Sequence, residues 1–344
     1  MQTFAEIFQI VIKEILNAGV QPDQIEINRI LQTQKWILSD SDFLKLETAV
    51  ANELSGYGPL TPLITDSVTD VLVNAPDSVW IDRGDGLEIF TEIFQSDEEI
   101  AFLARRLAIL ASARLDDVQP FVDGLLPDGT RLHALLPPVS GRCAKISLRF
   151  PTKKIVSIQS WGTGLSESET ELLVRVINGE LSFVISGATG SGKTTLLKSI
   201  LDARPSNQRI MVLEEAAEIQ LSKPNIISLI TRSPNTEGIG EFTLQKLVRQ
   251  SLRMRPDSIV IGEVRGLELL DFLLAVSSGH TGSGTTIHAH QGFVEQRIGI
   301  LGGLARMEPR FAINLFKNAI DVVIHCERVN NSRRITSIVT NHPC

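Results

Sequence analysis

The run LSFVISGATGSGKTTLLKSILDA, residues 181–203, constrains this 344-residue chain more than any other stretch. An apolar β-type segment leads into GATGSGKT at 187–194, which fits G-x-x-x-x-G-K-[ST] throughout, and a helical pattern follows at once. Strand, glycine-rich turn and helix in that order aim backbone N–H groups and the positive end of a helix at one point, where they can hold a phosphate. Gly187, Ala188, Thr189, Gly190, Ser191 and Gly192 form the candidate cradle, with Thr195 beside them at the helix start. Lys193 has the reach for the outer phosphates of a nucleoside triphosphate, and the Thr194 hydroxyl can ligate Mg²⁺.

The rest of the C-terminal half extends this unit. RIMVLEE, NIISLI, SIVIGE, TTIHA and DVVIHC are short apolar runs alternating with helical patterns. Near-continuous apolar strands separated by helices predict an α/β domain whose mainly parallel sheet is covered on both faces. Such sheets bind ligands at the carboxyl ends of their strands. Glu263 closes SIVIGE at that kind of position, as a candidate general base or a holder of Mg²⁺ through water. Gly262 stands where many phosphate-loop proteins carry an aspartate. Glu214, Glu215 and Glu218 form a second acidic group after RIMVL, and Glu214 is the stronger catalytic candidate of the three.

A second glycine-rich stretch, GHTGSGTTIHAH at 279–290, shares the frame G-x-T-G-S-G with the first. Thr285 there brings neither the charge nor the reach of lysine, and the glycines precede a strand instead of following one. The stretch therefore reads as a close-packed turn that brings His280 and His288 near the γ-phosphate, where they report its presence. A zinc site built from His280, His288 and His290 is disfavoured, because no cysteine or carboxylate stands nearby at metal spacing.

The N-terminal half has a different texture. Phe4, Ile7, Phe8, Val11, Ile12, Ile15 and Leu16 follow helical spacing, and a second helix is expected over 42–54. From Tyr57, β-type runs (VTDVLVN, SVWID, AKISLRF) and turns (GDG, PDG) surround a helix opened by Ser96, with Glu99 three residues on. The expected organisation is a helical segment at 1–56, an α+β domain at 57–150, a linker at 151–165 and the α/β domain at 166–344. The net charge of −7 argues against a surface built for nucleic acid. Three scattered cysteines fit a reducing compartment. There is no apolar run of membrane-spanning length, and the N-terminus lacks the basic region of a signal peptide. The expectation is a cytoplasmic protein that reaches a membrane only through partners.

In this order, GATGSGKTT, LEEAAEIQL, SLRMRPDSIVIGEVRG and GHTGSGTTIHA resemble the Walker A, Asp, atypical Walker B and His boxes of the type II/IV secretion-system ATPase superfamily. GYGPLTPLI, VTDVLVNAPDSVWID, LPDGTRLHALLPP and SPNTEGIGEFTLQKLVRQSLRMRPD look like its CpaF branch, the tight-adherence pilus assembly ATPases. The resemblance implies a RecA-like ATPase domain, ATP and Mg²⁺ as cofactors, and a homo-hexameric ring. It also implies an inner-membrane platform protein as partner, while the acidic balance gives no expectation of nucleic acid. Arg131 in DGTRLHA and Arg149 in ISLRF match the arginines that close on the γ-phosphate from outside the phosphate-loop domain. Arg253, Arg255 and Arg265 are candidates for interface or phosphate contacts.

Overall fold

The protein, seen in a computed structural model, is described at residues 7, 10, 11, 14, 29–33, 39–54, 56–84, 86–151, 155–232, 239–329 and 332–341. It divides into two compact units, Met1–Phe150 and Pro151–Cys344. Phe4, Phe8, Ile12, Ile15 and Leu16 of the first expected helix lie outside the described residues. Ile7 and Val11 are helical and buried, in a small apolar cluster with Ile30, Leu31, Phe43, Leu46 and Val50.

In the first unit, helix α1 (Asp40–Leu54) and a 3₁₀ turn (Gly58–Leu63) precede an antiparallel sheet. Its strands are β1 (Asp70–Ala75), β2 (Ser78–Asp82), β3 (Leu87–Phe90), β4 (Phe121–Leu125), β5 (Arg131–Leu135) and β6 (Lys145–Arg149), in spatial order 3-2-1-6-5-4. Val71, Val73, Val79, Ile81, Leu132, Ala134, Ile146 and Leu148 alternate onto one face. That face packs against Ile100, Leu103 and Leu107 of α2 (Asp97–Leu110). The Ser96 hydroxyl caps α2 by accepting from Glu99 N–H at 3.4 Å, while the Glu99 carboxylate turns back to Gln95 N–H at 2.6 Å. The capping box that Ser96 and Glu99 suggest in sequence is thus only half made, whereas a fully reciprocal one forms at α3 (Glu167–Ile177), between Ser166 and Glu169.

The second unit adds β7 (Phe183–Gly187), α4 (Lys193–Ala203), β8 (Ile210–Glu214), β9 (Ile226–Ile230) and α5 (Leu244–Ser251). There follow β10 (Ser258–Ile261), α6 (Glu268–Ser277), β11 (Gly284–His288), α7 (Val294–Leu304), α8 (Pro309–Ala319), β12 (Val322–Val329) and β13 (Ser332–Thr340). The spatial order is 13-12-7-11-10-8-9, parallel except for the antiparallel β12–β13 hairpin. Both faces are covered, as the apolar runs require. Met211, Leu213, Ile259 and Ile261 meet α5, α6, α7 and α8, whereas Phe183, Ile185, Val212 and Ile324 meet α3 and α4. Trp161, within the stretch read as linker, is buried in this second core and donates Nε1–H to Ser199 Oγ at 3.0 Å. Among the described residues no helix is long and apolar enough to cross a membrane.

Candidate nucleotide site

β7 sits inside its sheet, and its last residue, Gly187, starts the loop that opens α4. Gly192 is left-handed (φ +99°), so the first-turn N–H groups of α4 face back into the loop. Lys193 is almost wholly buried. Its ammonium donates to Gly187 O at 3.0 Å, to Ala188 O at 2.8 Å and to His288 Nδ1 at 3.0 Å. Burial lowers the Lys193 pKa, and the Glu263 carboxylate opposes that shift.

β11 lies between β7 and β10, with His288 opposite Gly187. This register sets the imidazole between lysine and glutamate, with His288 Nε2 3.1 Å from Glu263 Oε1. A neutral ring accepting from Lys193 at Nδ1 and donating to Glu263 from Nε2 satisfies both contacts. Beyond it, the Arg265 guanidinium donates to Glu263 Oε2 at 2.8 Å and lies 3.5 Å from Glu215 Oε2. Burial by itself would raise the Glu263 carboxyl. The Arg265 hydrogen bond and charge, with His288 and Lys193, outweigh it and hold the group below the usual carboxylate range. The backbone at Glu263 is pinned from β11: Thr286 Oγ1 donates to Gly262 O at 2.7 Å, and Val264 N–H donates to Thr286 O at 3.1 Å. Glu268 accepts from Arg265 N–H and Gly266 N–H, fixing the next turn. Sequence reasoning had no signal for Thr286 or Glu268.

Glu214 is buried beside Gly262, where a Cβ would stand 3.3 Å from Glu214 Cγ. An aspartate at 262 would meet this side chain, so the acid at β8 occupies the room that a residue at 262 would need. Glu214 Oε1 accepts from Glu218 N–H at 3.1 Å and Ile219 N–H at 3.0 Å, which anchors the loop after β8.

His280 is not brought to the phosphate loop. Its Nδ1 is 2.9 Å from Ala275 O near the end of α6, at the amino end of β11. The five residues of that strand put roughly 13 Å between its two edges. The same separation removes any metal site joining His280 to His288. Among the described residues no cluster of three or more His, Cys, Asp or Glu is placed to hold a metal alone. Arg253 and Arg255 likewise precede β10, at the sheet edge opposite the loop, whereas Arg265 belongs to the site.

The downstream glycines serve packing. A Cβ on Gly282 (φ +69°) would stand 2.5 Å from Gly179 O, and one on Gly284 would enter the Phe183 ring. Buried Arg204 locks this corner, donating to Gly282 O, Val176 O and Ser258 Oγ. Gly282→Ala is therefore expected to cost about 3 kcal/mol by backbone collision and left-handed strain. Thermal unfolding should fall by roughly 5–10 °C. Gly303→Ala, in α7 with open space around it, should gain up to about 1 kcal/mol.

A second expectation concerns His288, whose pKa is lowered by burial and then by Lys193. Its ordinary value is near 6.5, so below that pH the unfolded chain takes the proton first and the folded chain loses stability. The stability advantage of the parent over His288→Gln, followed by thermal unfolding, is expected to be largest above pH 6.5 and to shrink toward pH 5.5. A gap that widens on acidification would contradict the neutral-imidazole geometry.

In the first unit, register sets Arg131 directly opposite Arg149, and Arg149 opposite Asp70. The two arginines share the sheet face that α2 does not cover.

A glycine loop at the carboxyl edge of a parallel sheet, with an inserted lysine and a glutamate two strands away, defines a phosphate-loop nucleotide-binding protein. The chain belongs to the type II/IV secretion system protein family, which matches residues 53–330. A putative conjugal transfer protein of Mycobacterium tuberculosis is 40% identical over 308 residues, 87% of this chain and 88% of the relative. The conjugal transfer protein TrbB of Rhizobium radiobacter is 29% identical over 288 residues, 79% of this chain and 83% of its own. The crystal structure of the Legionella pneumophila ATPase DotB shares the fold, with a TM-score of 0.55 at 20% identity, over 87% of this chain and 81% of that one.

Proposed function

We propose that the chain is an ATP-hydrolysing motor subunit, acting as a homo-hexamer and passing work to an inner-membrane platform protein of a pilus or secretion apparatus. The observation that carries this reading is the unbroken line Lys193–His288–Glu263–Arg265 at the mouth of the loop. Phosphoryl transfer needs positioned charge on the transferring group and a side chain to orient water. Lys193 supplies the first, Glu263 the second, and His288 links the two so that a change at one is felt at the other. Glu214 assists from behind by holding the loop after β8. The match of DGTRLHA and ISLRF to the family pattern supports assigning Arg131 and Arg149 to the charge around the γ-phosphate.

Mg²⁺ fits the oxygen donors present, with Thr194 in the first turn of α4 and Glu263 kept ionised by its cationic neighbours. When bound, the ion neutralises charge on the phosphates.

Within the family, the motifs at 56–64, 68–82, 126–138 and 233–257 support the tight-adherence pilus branch. The conjugal transfer description of the 40% identical relative favours a second reading, a conjugation-type secretion motor. Flanking genes for pilins or for a conjugative channel separate the two. The test of the shared core is steady-state phosphate release by the purified chain, with oligomer mass measured by light scattering. Turnover is expected with ATP and Mg²⁺ and is expected to vanish with EDTA. Turnover that survives EDTA, or a chain that stays monomeric with nucleotide, would overturn it.

A further inference from the structure

On the nucleotide-binding reading above, the line Lys193–His288–Glu263 assigns the terminal phosphate to the β11 and β10 side of the loop. That assignment leaves the opposite flank, where β12 and β13 stand, for the nucleoside at the other end of the phosphate chain. β12 runs parallel to β7 as far as His325, opposite Ser186, and then continues through Val329 with β13 returning beside it. The hairpin thus projects past the carboxyl edge of the sheet alongside the phosphate loop. Its position is fixed at two places: Cys326 Sγ donates to Ser191 O at 3.0 Å, and Ile335 N–H donates to Trp161 O at 3.4 Å.

Arg333 lies on this hairpin with its stem against the loop. A Cβ on Gly192 would stand 2.7 Å from Arg333 Cδ and 3.0 Å from Trp161 Cη2. The side chain is exposed, and its guanidinium has no hydrogen bond or ion pair among the described residues. A pinned stem with an uncommitted planar cation suits an aromatic ring, because guanidinium stacks face to face on π systems and lysine does not.

Resting on the nucleotide-binding reading above, we infer that Arg333 receives the nucleoside half of the ligand and stacks its guanidinium on the base. The contact is a positioning one: it sets where the phosphate chain enters the loop and is blind to the number of phosphates. Base stacking makes little distinction between purines, so ADP and GDP should depend on Arg333 alike.

Titration calorimetry on the full chain tests this, using ADP, GDP and inorganic tripolyphosphate, each with Mg²⁺. Arg333→Ala is expected to weaken ADP and GDP about tenfold while tripolyphosphate stays within about twofold of the parent. Arg333→Lys, which keeps the charge and loses the plane, is expected to behave like the alanine variant. Undiminished tripolyphosphate binding also reports an intact loop in each variant. Unchanged ADP affinity in Arg333→Ala overturns the inference, as does an equal loss of tripolyphosphate binding, which would make the contact one to phosphate. Rescue by Arg333→Lys overturns the stacking geometry. A parent chain that binds none of the three ligands refutes the nucleotide site itself, a separate result from any ratio between variants.

Discussion

Replacing Lys193 with alanine is expected to reduce phosphate release by about three orders of magnitude, the scale of losing one preorganised charge in a water-poor site. Phosphate oxygens would take over the bonds that the ammonium now makes to Gly187 O, Ala188 O and His288 Nδ1. The near-complete burial of Lys193 means that its charge acts with little screening once it meets them. Binding should suffer less than turnover, because the backbone N–H groups of the loop and of α4 remain. Two further measurements separate chemistry from folding. Thermal unfolding of Lys193→Ala should shift by only a few degrees, since the neighbouring carbonyls and His288 gain water at the open edge. Lys193→Arg keeps the charge and should remain slow, because the planar fork cannot reproduce the single ammonium's bonds to Gly187 O, Ala188 O and His288 Nδ1. Turnover near that of the parent in either variant would remove Lys193 from the chemistry and the loop from the mechanism.

The sequence made the second unit legible because its strands are buried on both faces. LSFVIS, RIMVL and SIVI are built around the unbroken apolar runs FVI, IMVL and IVI, so their pattern matches only one kind of environment. Strand β13 was missed for the complementary reason. SRRITSIVT lies at the sheet edge and its order comes from pairing with β12, which no local pattern in so polar a run announces. His280 and His288 illustrate a second limit. Eight residues apart in sequence, they read as one feature, yet a strand between them carries one to each edge of the sheet. Spacing tells which residues share an element; it does not say which end of a parallel sheet the element presents. Glu263 was legible as a carboxylate after an apolar run. Its partners on other elements, Thr286 and His288, were fixed only by strand order. Contacts such as Cys326 with Ser191, and Arg333 with Gly192, join residues more than a hundred positions apart, beyond any motif.

Glu263→Gln is the second large effect. The change keeps the shape of the side chain and removes its charge, and phosphate release is expected to fall by about 10²–10⁴-fold with ADP affinity close to that of the parent. The size of the loss depends on what the carboxylate does. Arg265, His288 and Lys193 hold its pKa below the ordinary range, which makes it a weak proton acceptor in this arrangement while keeping it ionised, with oxygen lone pairs to direct a water. Orientation of water is the role that suits such a group, since the oxygen needs a fixed lone pair more than basicity. Arg265 decides between the two roles. Removing its guanidinium in Arg265→Ala takes away the strongest influence holding the Glu263 pKa down, and raises that pKa. If Glu263 were limited by basicity, the variant would turn over faster at pH 8 than the parent. With orientation as its task, Arg265→Ala is expected to be slower at every pH, because Glu263 loses the bond that fixes Oε2, and the acid limb of its pH profile should move upward. Faster turnover in Arg265→Ala, or a Glu263→Gln enzyme with parental rates, would show that the carboxylate at the end of β10 does not orient the attacking water.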